Sequence, residues 1–247
     1  MNEKEKFISL ESEKKSLTLD NLIDQNRFVP EEYKRLIFEQ EKYNNYSCYS
    51  KYLKEPYSER WNHFLSPHNI ADFINITAYE KCIERNSRIN NFLKQHLAGE
   101  VLIDLGGGTG YMKKFLKNLG VCTYINVDRT LGSNETIANP NPSLPIHEET
   151  SEGLHKIDVN ADMLDFIARL RNDSANFILN GIDSFVISDK KYHKALAQEL
   201  IRATKQGGLI FGNDSCINKI WEGQKTSLKR HEFNNIGDNI FFYEKPK

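Results

Sequence analysis

The segment Val101–Leu116, VLIDLGGGTGYMKKFL, holds the residues whose types and spacing have the clearest chemical content. An apolar run ends at Asp104 and Leu105, Gly106, Gly107, Gly108 and Gly110 follow, and an amphipathic stretch then carries Met112, Phe115, Leu116 and Leu119. Glycines between a strand and a helix let backbone amides and the helix N-terminus approach a ligand closely. What is missing narrows the ligand. A dinucleotide fingerprint needs a small residue where Tyr111 stands, because that position packs helix against strand, so NAD and FAD are disfavoured. No Gly-Lys-Ser/Thr follows to meet phosphates and magnesium, which excludes a Walker A loop.

The elements that must position this loop are legible as alternation. From Val101 onward, strand-like runs (VLIDL, CTYINVD, HKIDVNAD, ANFILN, GGLIFGND) alternate with helix-like ones (YMKKFLKNLG, MLDFIARLR, KKYHKALAQELIRATK). The end of the chain, SLKRHEFNNIGDNIFFYEK, reads as two extended segments around a turn. The predicted fold class is α/β: a doubly wound, mainly parallel, seven-stranded sheet with an antiparallel C-terminal hairpin. Before it, PEEYKRLIFEQEKY and AYEKCIERNSRINNFLKQHL repeat apolar residues at three and four, predicting a helical N-terminal extension. The expected division is a flexible tail over 1–16, where Lys, Glu and Ser dominate, a helical extension or lid over 17–97, and a ligand-binding core over 98–247.

The arrangement D-L-G-G-G-T-G resembles motif I of the class I S-adenosylmethionine (SAM)-dependent methyltransferases, and the resemblance runs from about Val101 to Lys247. The later strands end in matching residues, in order. TYINVD ends at Asp128, where the family carries an acidic residue that accepts hydrogen bonds from both ribose hydroxyls; Arg129, next to it, is assigned to the same site. LHKIDVNAD ends at Asp162 and Met163, resembling the family's adenine site, in which the carboxylate takes the exocyclic amine and the next backbone N–H a ring nitrogen. NFILNGID puts Asn180 where the family's backbone carbonyl meets the methionine ammonium, and KQGGLIFGND resembles the Gly-Gly turn into the fifth strand. The resemblance thus implies SAM as cofactor, held by Asp104, Gly106, Gly107, Gly108, Gly110, Asp128, Arg129, Asp162, Met163 and Asn180. One departure stands out: where the family places a helix, RTLGSNETIANPNPSLPIHEETSEG has three prolines and no helical period, so it reads either as a lid or as a surface link.

Methyl transfer from a sulfonium is an in-line displacement in which positioning supplies much of the acceleration. Asp183 and His193 are the candidate bases. Asp183 also fits a helix cap or turn, and His193 and His147 also fit partly exposed polar positions. Tyrosines 43, 46, 49 and 52, with Tyr57 and Trp61 nearby, read either as packing of the extension or as an aromatic wall over a substrate pocket. DNA amino-methyltransferases of this type carry a [Asp/Asn/Ser]-Pro-Pro-aromatic loop after strand four. Here the loop is N-G-I-D-S-F, so DNA is not an expected partner. The metal-dependent O-methyltransferases are matched only loosely, by Asp183 and the reversed pair Asn213-Asp214, and no metal is assigned. The leading reading is an enzyme that methylates O or N of a small molecule; the alternatives are a protein or RNA methyltransferase and a catalytically silent SAM-binding module.

Composition bounds the setting. The 33 basic and 34 acidic residues nearly balance, so no global field draws the protein to nucleic acid or an anionic membrane. Cys48, Cys82, Cys122 and Cys216 form no C-x-x-C pair, which argues against zinc and for reduced thiols. Neither a signal-peptide core nor a run of about 18 apolar residues occurs, and a cytoplasmic location without membrane partners is expected. Nothing in the sequence sets the oligomeric state.

Overall fold

The computed structural model describes residues 18–43, 86–107, 113–128, 145–179, 189–213, 227–233 and 240–247. In chain order these form helices α1 (Leu19–Leu22), α2 (Glu31–Tyr43) and α3 (Ser87–Leu97), strand β1 (Val101–Leu105), α4 (Lys113–Asn118), β2 (Thr123–Val127), β3 (His147–Ser151) and β4 (Leu154–Val159). There follow α5 (Met163–Arg169), β5 (Asn176–Leu179), α6 (Lys190–Ala203), β6 (Leu209–Asn213), β7 (Lys229–His231) and β8 (Ile240–Glu244).

The helices begin where side chains satisfy the orphan N–H groups of their first turns. Asn86 accepts from the N–H of Arg88 and Ile89 ahead of α3, Asp162 from Leu164 and Asp165 ahead of α5, and Asp189 from Lys191 ahead of α6. Helix α2 starts directly after Pro30, with Glu31 and Glu32 at the positive end of its dipole. Residues 78–85 of the predicted second helical run lie outside the described residues.

The strands form one eight-stranded sheet in the order β3-β4-β2-β1-β5-β6-β8-β7. Strands β4, β2, β1, β5 and β6 run parallel, and β3, β8 and β7 join by antiparallel pairing. This is the predicted doubly wound sheet with its C-terminal hairpin, enlarged by one strand. The addition is β3, which pairs with β4 through the two-residue turn Glu152-Gly153, both residues at positive φ (52° and 84°), as a type I′ hairpin requires. Thus the end of the segment read as an irregular link is a strand, while residues 129–144 lie outside the described residues.

Each face of the sheet buries its own apolar layer. Ile103, Leu105, Ile125, Val127, Ile157, Phe177 and Ile210 meet α1, α2, α5 and α6 on one side. Leu102, Tyr124, Leu154, Ile178, Phe211 and Phe242 meet α3 and α4 on the other. The chain runs outward from β1 through β2 to β4 and then returns to β5 on the opposite side, so the topological switch point falls between β1 and β5, where open α/β sheets bind ligands at their carboxyl edge.

Helices α1 and α2 are tied to this framework by polar as well as apolar contacts. Ile23 bridges Leu170, and Arg171 N–H donates to Leu22 O at 2.8 Å. Arg202 of α6 donates to Glu199 (2.6 Å), to Leu170 O (2.7 Å) and to Ile167 O (2.8 Å), while Tyr33 of α2 and Arg27 reach the same Glu199. Burial and the Glu199 carboxylate push the Tyr33 hydroxyl up to about 12. Arg202→Met should therefore lose about 2 kcal/mol, because half-buried acceptors are left without donors. Urea unfolding checks this, and a loss under about 0.5 kcal/mol, as for an ordinary surface ion pair, would contradict it.

Candidate cofactor site

Asp104 is the fourth residue of β1 and is almost fully buried, at 1% exposure. Tyr124 on β2 donates its hydroxyl to Asp104 Oδ2 at 2.7 Å, whereas Oδ1 is buried with no hydrogen-bond partner among the described residues. Burial pushes this carboxyl up to about 7; the Tyr124 hydrogen bond opposes the rise and the negative charge of Asp128 adds to it. A buried acceptor with an open oxygen at a strand's carboxyl end fits a cationic or donor-bearing ligand group.

The turn after β1 is built around that carboxylate. Gly106 sits at φ 75°, a conformation L side chains rarely adopt, and its N–H donates to Val127 O at 2.8 Å, locking the turn to β2. A Cβ on Gly107 would fall 2.5 Å from Asp104 Oδ2 and closer still to Asn126 Oδ1. Glycine is thus required at 107 by the neighbouring side chains, besides any ligand the loop admits. Gly107→Ala should displace Asp104 and Asn126, costing about 1–3 kcal/mol in stability and at least roughly tenfold in ligand affinity. Gly153→Ala is the control: a Cβ there meets nothing within 4 Å, so only the backbone cost at φ 84° applies. Equal effects of the two substitutions on affinity would contradict a site at the β1 turn.

Asp128 follows β2 directly, half-buried, with its N–H bonded to Val159 O at 3.1 Å. Asp162 is buried three residues beyond β4, and besides the adenine role implied by the resemblance the structure shows it capping α5. Its Oδ1 accepts from Leu164 N–H (2.8 Å), from Asp165 N–H (3.3 Å) and from the Tyr192 hydroxyl (2.8 Å). Met163 opens α5, and its own N–H is not among those the cap takes. The structure therefore brings Asp104, Gly106, Gly107, Asp128, Asp162 and Met163 to the carboxyl ends of three adjacent strands, β1, β2 and β4.

His193 lies in the first turn of α6, next to Tyr192; it is buried, where a partly exposed position was the plainer expectation. His147 instead lies on the edge strand β3, its ring nitrogen 3.4 Å from Asp158. Gly108, Gly110, Arg129, Asn180 and Asp183 lie outside the described residues, as do Tyr46, Tyr49, Tyr52, Tyr57, Trp61 and the side chain of Tyr43. Among the described residues, no helix is long and apolar enough to cross a membrane.

The strand order and the glycine turn after β1 are those of a Rossmann-like, doubly wound α/β fold, and the chain has that fold. Neither a family model nor a curated protein matches the sequence. Among solved structures it is similar to a candidate SAM-dependent methyltransferase from Streptococcus mutans (18% identity, covering 64% of this chain and 48% of that one, TM-score 0.41). It is similar also to an rRNA methylase from Streptococcus thermophilus (14% identity, 64% and 94% covered, TM-score 0.40). A third is the N-methyltransferase NodS from Bradyrhizobium japonicum WM9 (12% identity, 66% and 96% covered, TM-score 0.40). The chain spans about half the length of the first of these.

Proposed function

We propose that the protein binds S-adenosylmethionine at the carboxyl edge of β1, β2 and β4 and transfers its methyl group to a small-molecule acceptor. The observation that carries this reading is the placement of Asp104, Asp128 and Asp162 at the carboxyl ends of three adjacent parallel strands, with a glycine turn packed against the first. In it, the open oxygen of Asp104 faces the cationic amino-acid end of the cofactor, and Asp128 accepts from the ribose hydroxyls. Asp162 and the Met163 N–H hold the adenine edge, with the cap of α5 fixing the carboxylate. Gly108, Gly110, Arg129 and Asn180 complete the proposed set.

When bound, the cofactor supplies an electrophilic methyl group on a sulfonium; the acceptor's O or N forms the new bond as the carbon–sulfur bond breaks in line with it. The acceptor also loses a proton, and Asp183 and His193 are the groups we assign to receive it. The near-balance of charge supports a small acceptor over a nucleic acid.

Two measurements test the reading. Calorimetry should detect SAM and its demethylated product, S-adenosylhomocysteine; binding of NADH with neither sulfur ligand would overturn it. Methyl-labelled cofactor offered to small molecules, RNA and protein should label the small-molecule fraction, and label confined to RNA or protein would replace the acceptor class.

A further inference from the structure

A row of polar side chains crosses the sheet on the face that α3 and α4 cover. Parallel pairing sets Asp104 beside Asn126 and Asn126 beside Asp158, and antiparallel pairing sets Asp158 beside His147. The first three are buried, at 1%, 0% and 7% exposure, on a face whose other buried positions are apolar or aromatic except for Lys156 and Asn176. Lys156 donates to Asp158 Oδ2 at 2.7 Å, both side chains 9% exposed, and Asn126 Nδ2 donates to Asp158 Oδ1 at 2.9 Å. Buried ion pairs add little net stability compared with apolar residues of similar size. Packing alone therefore does not account for this row.

Its geometry accounts for it better. The Lys156–Asp158 pair draws the carboxamide nitrogen of Asn126 toward β4, which turns the carboxamide oxygen toward Gly107 and Asp104. Reversed, the amide would present its nitrogen to the Asp104 carboxylate and compete with a ligand for that acceptor. We propose that Asn126, oriented by Asp158 and Lys156, is a positioning residue that fixes the Gly106–Gly107 turn and keeps Asp104 available to the amino-acid end of the cofactor. Discrimination between an adenosyl amino acid and bare adenosine is then set partly from β4, one strand beyond Asn126. This rests on the cofactor reading above and deepens it.

The test compares two ligands on three proteins. S-adenosylhomocysteine and adenosine are titrated into the wild type, Asn126→Leu and Asp158→Asn by calorimetry or competition. In Asn126→Leu, affinity for S-adenosylhomocysteine should fall about tenfold or more while that for adenosine stays within about twofold, because adenosine engages only the Asp128 and Asp162 side of the site. Asp158→Asn, of unchanged shape, should show the same split to a smaller degree, and it carries the test if Asn126→Leu does not fold. Equal weakening of both ligands, or no change in either, would overturn the positioning role. A wild type that binds neither ligand would instead remove the cofactor reading on which the role stands.

Discussion

Asp104→Asn should abolish the pH dependence of cofactor affinity and, at the same time, stabilise the free protein relative to the wild type above neutral pH. In the wild type this carboxyl sits at about 7 against an ordinary value of 3.8, raised by burial and by Asp128 and partly offset by Tyr124. Between those two values the folded chain holds a proton that the unfolded chain has lost. Stability from this group is accordingly full below about pH 4, declines as pH rises, and levels off above about pH 7. The whole swing is on the order of 4 kcal/mol. The asparagine carries no such proton, so its advantage grows across the same window, reduced by the cost of burying an amide nitrogen without a matched acceptor. A cationic ligand favours the carboxylate, so binding should release a proton below pH 7, and affinity should rise with pH by up to about tenfold per unit between pH 5 and 7. Calorimetry in two buffers of different ionisation heat counts that proton. Identical affinity at pH 5.5 and pH 7 with no proton released would rule out Asp104 as the group facing the cation.

Asp128→Ala should weaken cofactor binding by roughly tenfold to a few hundredfold, since it removes charge-assisted hydrogen bonds worth about 1.5–3 kcal/mol each, part of which water restores. Asp128→Asn should be milder, because the amide oxygen still accepts. Folding should change little in either: Asp128 is half-buried at a strand end, and its backbone bond to Val159 O survives the substitution. If Asp128 is only a turn residue, the pattern reverses, with affinity intact and a small loss of stability. Titration and urea unfolding of the same mutant separate the two, and an unaltered dissociation constant in a folded protein would withdraw the ribose assignment.

The parallel core was legible because buried parallel strands are nearly continuous apolar runs, as in VLIDL and NFIL, and because Gly106 and the Gly207-Gly208 turn mark where they start and stop. Strand β3 was not legible for the converse reason. As an edge strand, HEETS places no apolar residue on either face, so no alternation betrays it, and its turn uses Glu152 where Asn or Asp would have signalled a hairpin. At the site, strand-end residues such as Asp104 and Asp128 could be found by position alone. Their neighbours could not: the contacts of Tyr124 with Asp104 and of Asn126 with Asp158 depend on the register between strands that lie 20 and 32 residues apart in the chain. The cap formed by Asp162 was a local signal, an Asp directly before MLDFIAR, that the adenine resemblance eclipsed.

The placement of β8 between β6 and β7 bears on the order of events during synthesis. β7 leaves the ribosome first, yet the strand that joins it to β6 is made afterwards. Until residues 240–244 emerge, β6 keeps an open edge, and β7 has no partner in the sheet. Phe241, Phe242 and Tyr243 then fill both apolar layers at once, and Lys245 donates to Ile201 O (2.8 Å) and Thr204 O (2.9 Å) at the end of α6. The nascent chain must therefore wait for this late segment before its sheet can close, with the β6 edge exposed to any holdase or to a second nascent chain in the interval.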